Sequence, residues 1–203
     1  MTTLLAAVVL GYLLGAIPSA ELAARMRGRH IFDVGSGNMG AMNTARNLGI
    51  ALGIAVLVVD IGKGAAATAL ALALANAGGL DAGMGLATAL AAGFAAVTGH
   101  AHSVFVGGRG GKALATIFGV SLPLYPVAGL IGLGLILILV AATRNAHRAS
   151  VATLIAYPWL VALTAWLGGA TRGHALALLA GTVPSALVSL ARHRRGRPPG
   201  GAP

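Results

Sequence analysis

Long apolar runs, separated by short polar stretches rich in glycine and arginine, organise this chain. Four runs, about 3–24, 48–76, 150–168 and 172–190, reach the roughly 20 residues that a helix needs to cross a bilayer. A fifth, about 84–98, is shorter and spans by tilting or with help from its flanks. Pro123 and Pro126 interrupt residues 113–142, so two segments are expected there, the first too short to span comfortably. The pattern predicts an all-α, polytopic helical membrane protein of about seven transmembrane helices, with short or broken helices around 113–142. Gly62 and Gly64 mark a candidate break in the second run. The opening stretch lacks a basic leading region and a small-residue cleavage site, and is expected to stay as the first span. Residues 1–191 read as a single integral membrane domain. Residues 192–203 read as a basic, Pro/Gly-rich cytoplasmic tail, disordered beyond the membrane face.

Composition strengthens this reading. With 57% hydrophobic and 9% charged residues, the solvent for most of the chain is lipid. The charge is lopsided, 14 Lys plus Arg against 4 Asp plus Glu, a net +10. The basic residues sit between apolar runs: Arg25, Arg27, Arg29 and Arg46 in one gap, Arg109 and Lys112 in another, Arg144 and Arg148 in a third, and Arg192, Arg194, Arg195 and Arg197 at the end. That placement signals loops held at the cytoplasmic side rather than a nucleic-acid partner. With an odd helix count it puts the N-terminus outside and the C-terminus inside a bacterial cytoplasmic (inner) membrane. The gap around 76–83, carrying Asp81, falls opposite. The chain has no cysteine, which excludes disulfides, thiolate metal sites and thiol nucleophiles. Most of the 31 glycines serve close helix packing.

Three interhelical segments carry chemistry that packing does not ask for. In the first, Gly35-Ser36-Gly37-Asn38 leads through Asn43 to Arg46. Its spaced glycines let successive amides turn inward around an anion, and Arg46 offers a planar fork for phosphate oxygens. An ordinary Gly/Asn-rich turn would read similarly. In the second, His100 and His102 precede Gly107-Gly108-Arg109-Gly110-Gly111-Lys112, and a new apolar helix containing Thr116 begins just beyond. Backbone amides and an ammonium converge there, although the spacing is not that of a Walker loop. Zinc ligation by the two histidines is disfavoured, with no cysteine and few acids nearby, so no metal is expected. The third segment runs from Thr143 to Ser150 and would serve equally as a positive-inside connector. Asp60 and Lys63 lie three apart inside an apolar run, as functional groups or as a structural ion pair.

Taken together these stretches resemble the PlsY family of bacterial membrane acyltransferases. GYLLGAIPSAELAA, GSGNMGAMNTARNLG, DIGKG, GHAHSVFVGGRGGKALAT and the weaker TRNAHRASVATL arrive in family order across most of residues 11–155. The resemblance implies a seven-helix membrane fold with its active site at the cytoplasmic face. It implies transfer of an acyl group from acyl phosphate to glycerol 3-phosphate, the first step of phospholipid synthesis, with no cofactor. Ser36, Asn38, Asn43, Arg46, His100, Gly110, Gly111, Lys112 and Ser150 fall on its phosphate-site positions, to which Gly35, Gly37 and Thr116 are added as candidates. Lys112 and Arg46 would hold phosphate, Ser36 and Asn43 would orient it, and the glycines would admit backbone donors. Four positions depart from the family pattern: Ala113 where glycine is usual, Ser103 for proline, Gly108 for an aromatic residue, and Gly196 for an asparagine that follows the His matched by His193. No glutamate follows.

An acyl phosphate carries its own leaving group, so the protein has chiefly to orient two mutually repelling anions. The hydroxyl proton has two candidate acceptors, His100 and the donor phosphate. Membrane lipids are the expected surroundings, the chain is expected to act as a monomer, and no nucleic acid is involved. The rival readings are a transporter of a phosphorylated solute and an acylation-defective relative of the family.

Overall fold

The structure is a computed structural model that describes residues 1–195. Among these residues there are nine α-helices and no strand: α1 (Thr2–Ala16), α2 (Ser19–Arg25), α3 (Ala41–Leu48), α4 (Ile50–Ala77), α5 (Ala82–Ala101), α6 (Leu114–Ser121), α7 (Pro126–Thr143), α8 (Ala146–Leu167) and α9 (Arg172–Arg195). Six stretches are long and apolar enough to cross a membrane: Thr2–Arg25, which joins α1 and α2, Ile50–Ala77, Ala82–Val106, Pro126–Thr143, Ala146–Leu167 and Arg172–His193.

The short helix α6 completes a seventh passage. At 18 residues, α7 is about 27 Å long at 1.5 Å per residue. Its far end is fixed by Tyr125, whose ring meets His174, in the first turn of α9, edge-on at 5.9 Å. The chain must therefore travel the depth of the bundle between Ala113 and Pro126, as α6 followed by the four residues 122–125. The expected short, proline-broken segment is this one.

Small residues set the helix contacts, because lipid offers no hydrophobic drive between helices and close backbone approach must supply the attraction. On α1, a Cβ at Gly11 or Gly15 would stand 2.5 or 2.0 Å from the carbonyl oxygens of Ala92 and Ala96 on α5. Gly64 and Gly119 do the same for α4 and α6: their Cβ positions lie 2.3 Å from the Thr116 carbonyl oxygen and 2.0 Å from that of Ile61. The break expected at Gly62 and Gly64 is absent, since α4 runs unbroken from Ile50 to Ala77. Gly64 is there to admit α6.

The first span, by contrast, read as one run over 3–24, is broken at Pro18. Pro18 cannot continue the ladder of α1. Two carbonyls freed at the break find side chains: Ala16 accepts Ser103 Oγ at 2.5 Å and Ile17 accepts Lys63 Nζ at 3.0 Å. The helix α9 runs past the boundary expected at residue 191, to Arg195. Gly196 and the rest of the expected tail lie outside the described residues.

Candidate active site

At one end of the bundle a cleft of about 620 Å³ opens between the 36–47 segment, α4, the 112–115 segment, α7, α8 and the last turns of α9. Of the residues predicted from sequence, it brings together Ser36, Asn38, Asn43, Arg46, Asp60, His100, Lys112, Ser150 and His193. Arg46 and Lys112, 66 positions apart in sequence, share this one wall.

The Gly-rich loop is shaped by Asn43. Buried in the first turn of α3, its amide nitrogen donates to the carbonyls of Val34 (2.9 Å) and Asn38 (3.1 Å). Its oxygen accepts the Ser36 amide at 3.0 Å and Asn47 Nδ2 at 3.1 Å. All its hydrogen-bonding capacity is thus spent on the loop, so Asn43 holds Ser36 and Asn38 in place rather than orienting phosphate itself. Gly35 and Gly37 are outside the cleft wall, and the Gly37 amide is bonded to Val34 O at 3.0 Å. They let the chain turn, both at positive φ.

The lysine loop is held from two sides. The Gly111 amide donates to His100 O at 3.1 Å, and Arg192 Nη2 donates to Gly110 O at 2.8 Å. Ser189 Oγ donates to the Lys112 carbonyl. The Gly111 amide is therefore occupied and is no free phosphate donor. The first-turn amides of α6 have no partner within the helix and no side-chain cap, and its Leu114 and Ala115 are in the cleft wall. Thr116, expected in the site, is 0% exposed and absent from the cleft wall, and its turn of α6 packs on Gly64 of α4. Gly110 and Gly111 likewise lie behind the wall rather than in it. Half-burial holds the Lys112 ammonium below the usual lysine range, through lost hydration.

Three departures from the family pattern acquire physical accounts. Ala113 adopts φ 59° and ψ 9°, a left-handed backbone that glycine takes without strain. The loop conformation that glycine would favour is thus kept, at a cost of about 1–2 kcal/mol. Ser103 replaces the rigidity of proline with its bond to Ala16 O. Gly108, at φ 74°, turns an exposed tip whose neighbour Arg109 stacks on the Phe32 ring at 3.9 Å, tying two loops together.

Sequence reasoning missed four contributors. His147 is in the cleft wall and its ring lies 5.5 Å from that of His193. Its spacing of three from Ser150 puts both on one face of α8, a signal that was available. Asn47 is one turn beyond Asn43 on α3. Ser189 and Arg192, which clamp the lysine loop, were hidden at the edge of the expected tail. Lys63, in turn, is not in the cleft wall.

Beyond its polar mouth the cleft continues as an apolar limb along Ile50, Ile54, Leu57, Phe118, Leu133, Ile136, Leu137 and Val140. Ile54 and Leu137 are 56% and 61% exposed on the lipid-facing surface, so this limb borders the bilayer. Fold and site together define an integral membrane protein with a cationic cleft open both to water and to lipid.

The comparisons agree. A family model described as glycerol-3-phosphate acyltransferase matches residues 5–196. The glycerol-3-phosphate acyltransferase of Chlorobaculum parvum is 36% identical over 171 residues, covering 82% of this chain and 74% of that protein. That of Thermosipho melanesiensis is 38% identical over 148 residues, 73% of this chain and 69% of that protein. The crystal structure of PlsY, an integral membrane glycerol 3-phosphate acyltransferase, in its glycerol 3-phosphate form, superposes with a TM-score of 0.78 at 30% identity. The superposition covers 95% of this chain and 88% of that one. Its lysophosphatidic acid form gives 0.76 at 29%. The chain belongs to the glycerol-3-phosphate acyltransferase family.

Proposed function

We propose that this protein transfers an acyl group from acyl phosphate to the primary hydroxyl of glycerol 3-phosphate, releasing lysophosphatidic acid and phosphate. The observation that carries the reading is a single cleft with Arg46 and Lys112 at its mouth and an apolar limb beside lipid. An amphipathic donor fits such a shape, with its chain in the limb and its phosphate among the cations. The solved relative's glycerol 3-phosphate and lysophosphatidic acid forms support the choice of acceptor and product.

In this reading Arg46, Lys112 and the first-turn amides of α6 neutralise the two phosphates, with Ser36, Asn38 and Ser150 as neutral donors around them. The acceptor hydroxyl attacks the acyl carbon, the bond from that carbon to the phosphate oxygen breaks, and the hydroxyl proton leaves on the departing phosphate. His100 is too enclosed to carry a proton away to water, so it serves as a fixed contact. Arg25, Arg27, Arg29, Arg46, Arg109, Lys112, Arg144 and Arg148 all flank the cleft end. On the positive-inside rule this supports reading that end as cytoplasmic, in a bacterial inner membrane, with the N-terminus outside. In this reading the acting unit is a monomer, both phosphate-holding cations, Arg46 and Lys112, belonging to the same cleft.

A transporter reading would need polar groups along a path to the far end of the bundle, whereas the polar lining of the cleft goes no deeper than Asp60, midway along α4. The test is direct: purified protein given acyl phosphate and labelled glycerol 3-phosphate should form labelled lysophosphatidic acid, and acyl thioester should not substitute as donor. Lys112→Ala should abolish turnover in folded protein. Label accumulating in sealed vesicles without acylation would replace this reading with transport.

A further inference from the structure

Four polar side chains meet deep in the bundle, where the cost of burial in a membrane is high. Asp60, midway along α4 and 2% exposed, accepts Ser19 Oγ at 2.6 Å and Lys63 Nζ at 2.8 Å, both on Oδ1. Lys63 is accounted for: it bridges this carboxylate to the Ile17 carbonyl and closes the break between α1 and α2. Asp60 is not, because its side chain also belongs to the cleft wall while that of Lys63 does not. A neutral pair would close the break as well, since a buried ion pair gains little over an apolar replacement.

The unexplained partner is His100. It is 2% exposed, at the end of α5, and its Nδ1 is buried without a hydrogen-bond partner, 3.6 Å from Asp60 Oδ1. On the other edge of the ring, Nε2 faces Gly111, where an added Cβ would stand 2.3 Å away. The ring therefore lies between an intramembrane carboxylate and the lysine loop, and borders the cleft.

We propose that Asp60 is the positioning residue for His100: the carboxylate draws the Nδ1–H edge of the ring toward itself and thereby presents the Nε2 lone pair to the cleft as an acceptor for the substrate hydroxyl. The two ring nitrogens of a neutral imidazole have opposite roles, and the group facing one nitrogen decides the role of the other. With Nδ1 committed as donor toward Asp60, Nε2 accepts a hydrogen bond from glycerol's primary hydroxyl and aims its oxygen at the acyl carbon; as the new C–O bond forms and the bond to phosphate breaks, the proton passes by way of Nε2 to the departing phosphate. The 3.6 Å gap closes to hydrogen-bond distance when substrate fixes the ring. This inference rests on the acyl-transfer reading above and adds to it a fixed acceptor for the nucleophile.

The test removes the ion pair as a unit, Asp60→Asn with Lys63→Met, so that no unpaired charge remains buried. The pair variant should keep its thermal midpoint within a few degrees of the parent. Its kcat should fall roughly 10- to 100-fold, the scale of a small misplacement of reacting groups. In a His100→Ala background the same two substitutions should change kcat less than twofold. Ring-nitrogen NMR of ¹⁵N-histidine protein should show His100 as the Nδ1–H tautomer in the parent and a mixture in the pair variant. A folded pair variant with parental kcat, or full additivity with His100→Ala, overturns the proposal. Should the pair variant fail to fold, Asp60→Glu keeps the charges and moves the carboxylate by one methylene. It should lose turnover at a parental thermal midpoint, and parental turnover there is equally fatal. An inactive parent protein would instead sink the acyl-transfer reading itself.

Discussion

Gly111→Ala is the sharpest probe of the site, because that single position touches three of its segments at once. An added Cβ would lie 2.2 Å from the Met39 carbonyl oxygen, in the Gly-rich loop, and 2.3 Å from His100 Nε2. The glycine's own amide is bonded to His100 O. Packed Cβ atoms essentially never approach a neighbour closer than 3.0 Å, so the loops must part by roughly 0.8 Å. The imidazole cannot swing aside, being enclosed by Asp60 and α5. Overpacking of this kind costs about 1–3 kcal/mol in stability. Moving the lysine loop by nearly 1 Å from the 36–40 segment should reduce turnover by roughly 100-fold. The assay pairs thermal unfolding in detergent with acyl transfer, using Gly62→Ala, whose Cβ meets nothing within 4 Å, as the control. A Gly111→Ala protein with the control's activity would refute the claim that the two loops and His100 form one rigid unit.

Other outcomes follow from the same geometry. Gly15→Ala puts a Cβ 2.0 Å from Ala96 O and should lower the thermal midpoint by several degrees through the α1–α5 contact, by about 1–3 kcal/mol. An unchanged midpoint would deny that this contact matters. Ala113→Gly relieves about 1–2 kcal/mol of left-handed strain but loses about 0.8 kcal/mol of methyl burial and adds about 0.4–1 kcal/mol of unfolded-state entropy. Its midpoint should barely move and its turnover should hold; a tenfold loss would show that the methyl itself matters. Lys112 binds its proton less tightly folded than unfolded, so its contribution to stability rises with pH from its lowered pKa up to the free-lysine value. Phosphate binding runs the other way, and KM for glycerol 3-phosphate should climb on the alkaline side earlier than a free lysine would dictate. Lys112→Arg should push that limb upward, and an unmoved limb would exclude Lys112 as its source.

How much of this was legible in the chain depends on the length of the run concerned. Spans were readable because the bilayer demands about 20 apolar residues of each, and α4, α7 and α8 begin and end within a few residues of expectation. The end of α9 was misplaced because hydropathy stops at the first arginine, whereas a helix can leave the lipid and continue into water. Arg192 was overlooked for that reason, while Ser189, inside the expected run, looked like one more small packing residue. Thr116 was added to the site as the polar residue closing the Gly-rich segment, which would suit a helix that starts at Lys112 and brings both onto one face. That register holds only if the helix starts at Lys112, and the left-handed Ala113 delays it to Leu114. The Gly-rich loop was recognised, but its glycines were read as phosphate donors. A side chain such as Asn43 that saturates a loop from behind leaves no trace in composition.

The cleft's place at the end of the bundle follows from its charges. Two phosphates close to −2 each, about 6 Å apart, repel by roughly 11 kcal/mol at an effective dielectric near 20, and by several times more in a dry interior. Arg46 and Lys112 offset only two of those four negative charges, and the histidines and α6 amides supply partial charges at most. The remainder must be screened by water, so the phosphates have to stay at the membrane surface while the acyl chain stays in the limb beside Leu57 and Leu137. Adding a third cation deep in the cleft would not improve matters, because it would share the fate of Lys63 and need its own buried carboxylate. Substituting Leu57 or Ile54 by arginine is accordingly expected to lower turnover with acyl phosphate rather than raise it. A rise in kcat/KM for either variant would mean that water does not reach the phosphates and that the charge balance drawn here is wrong.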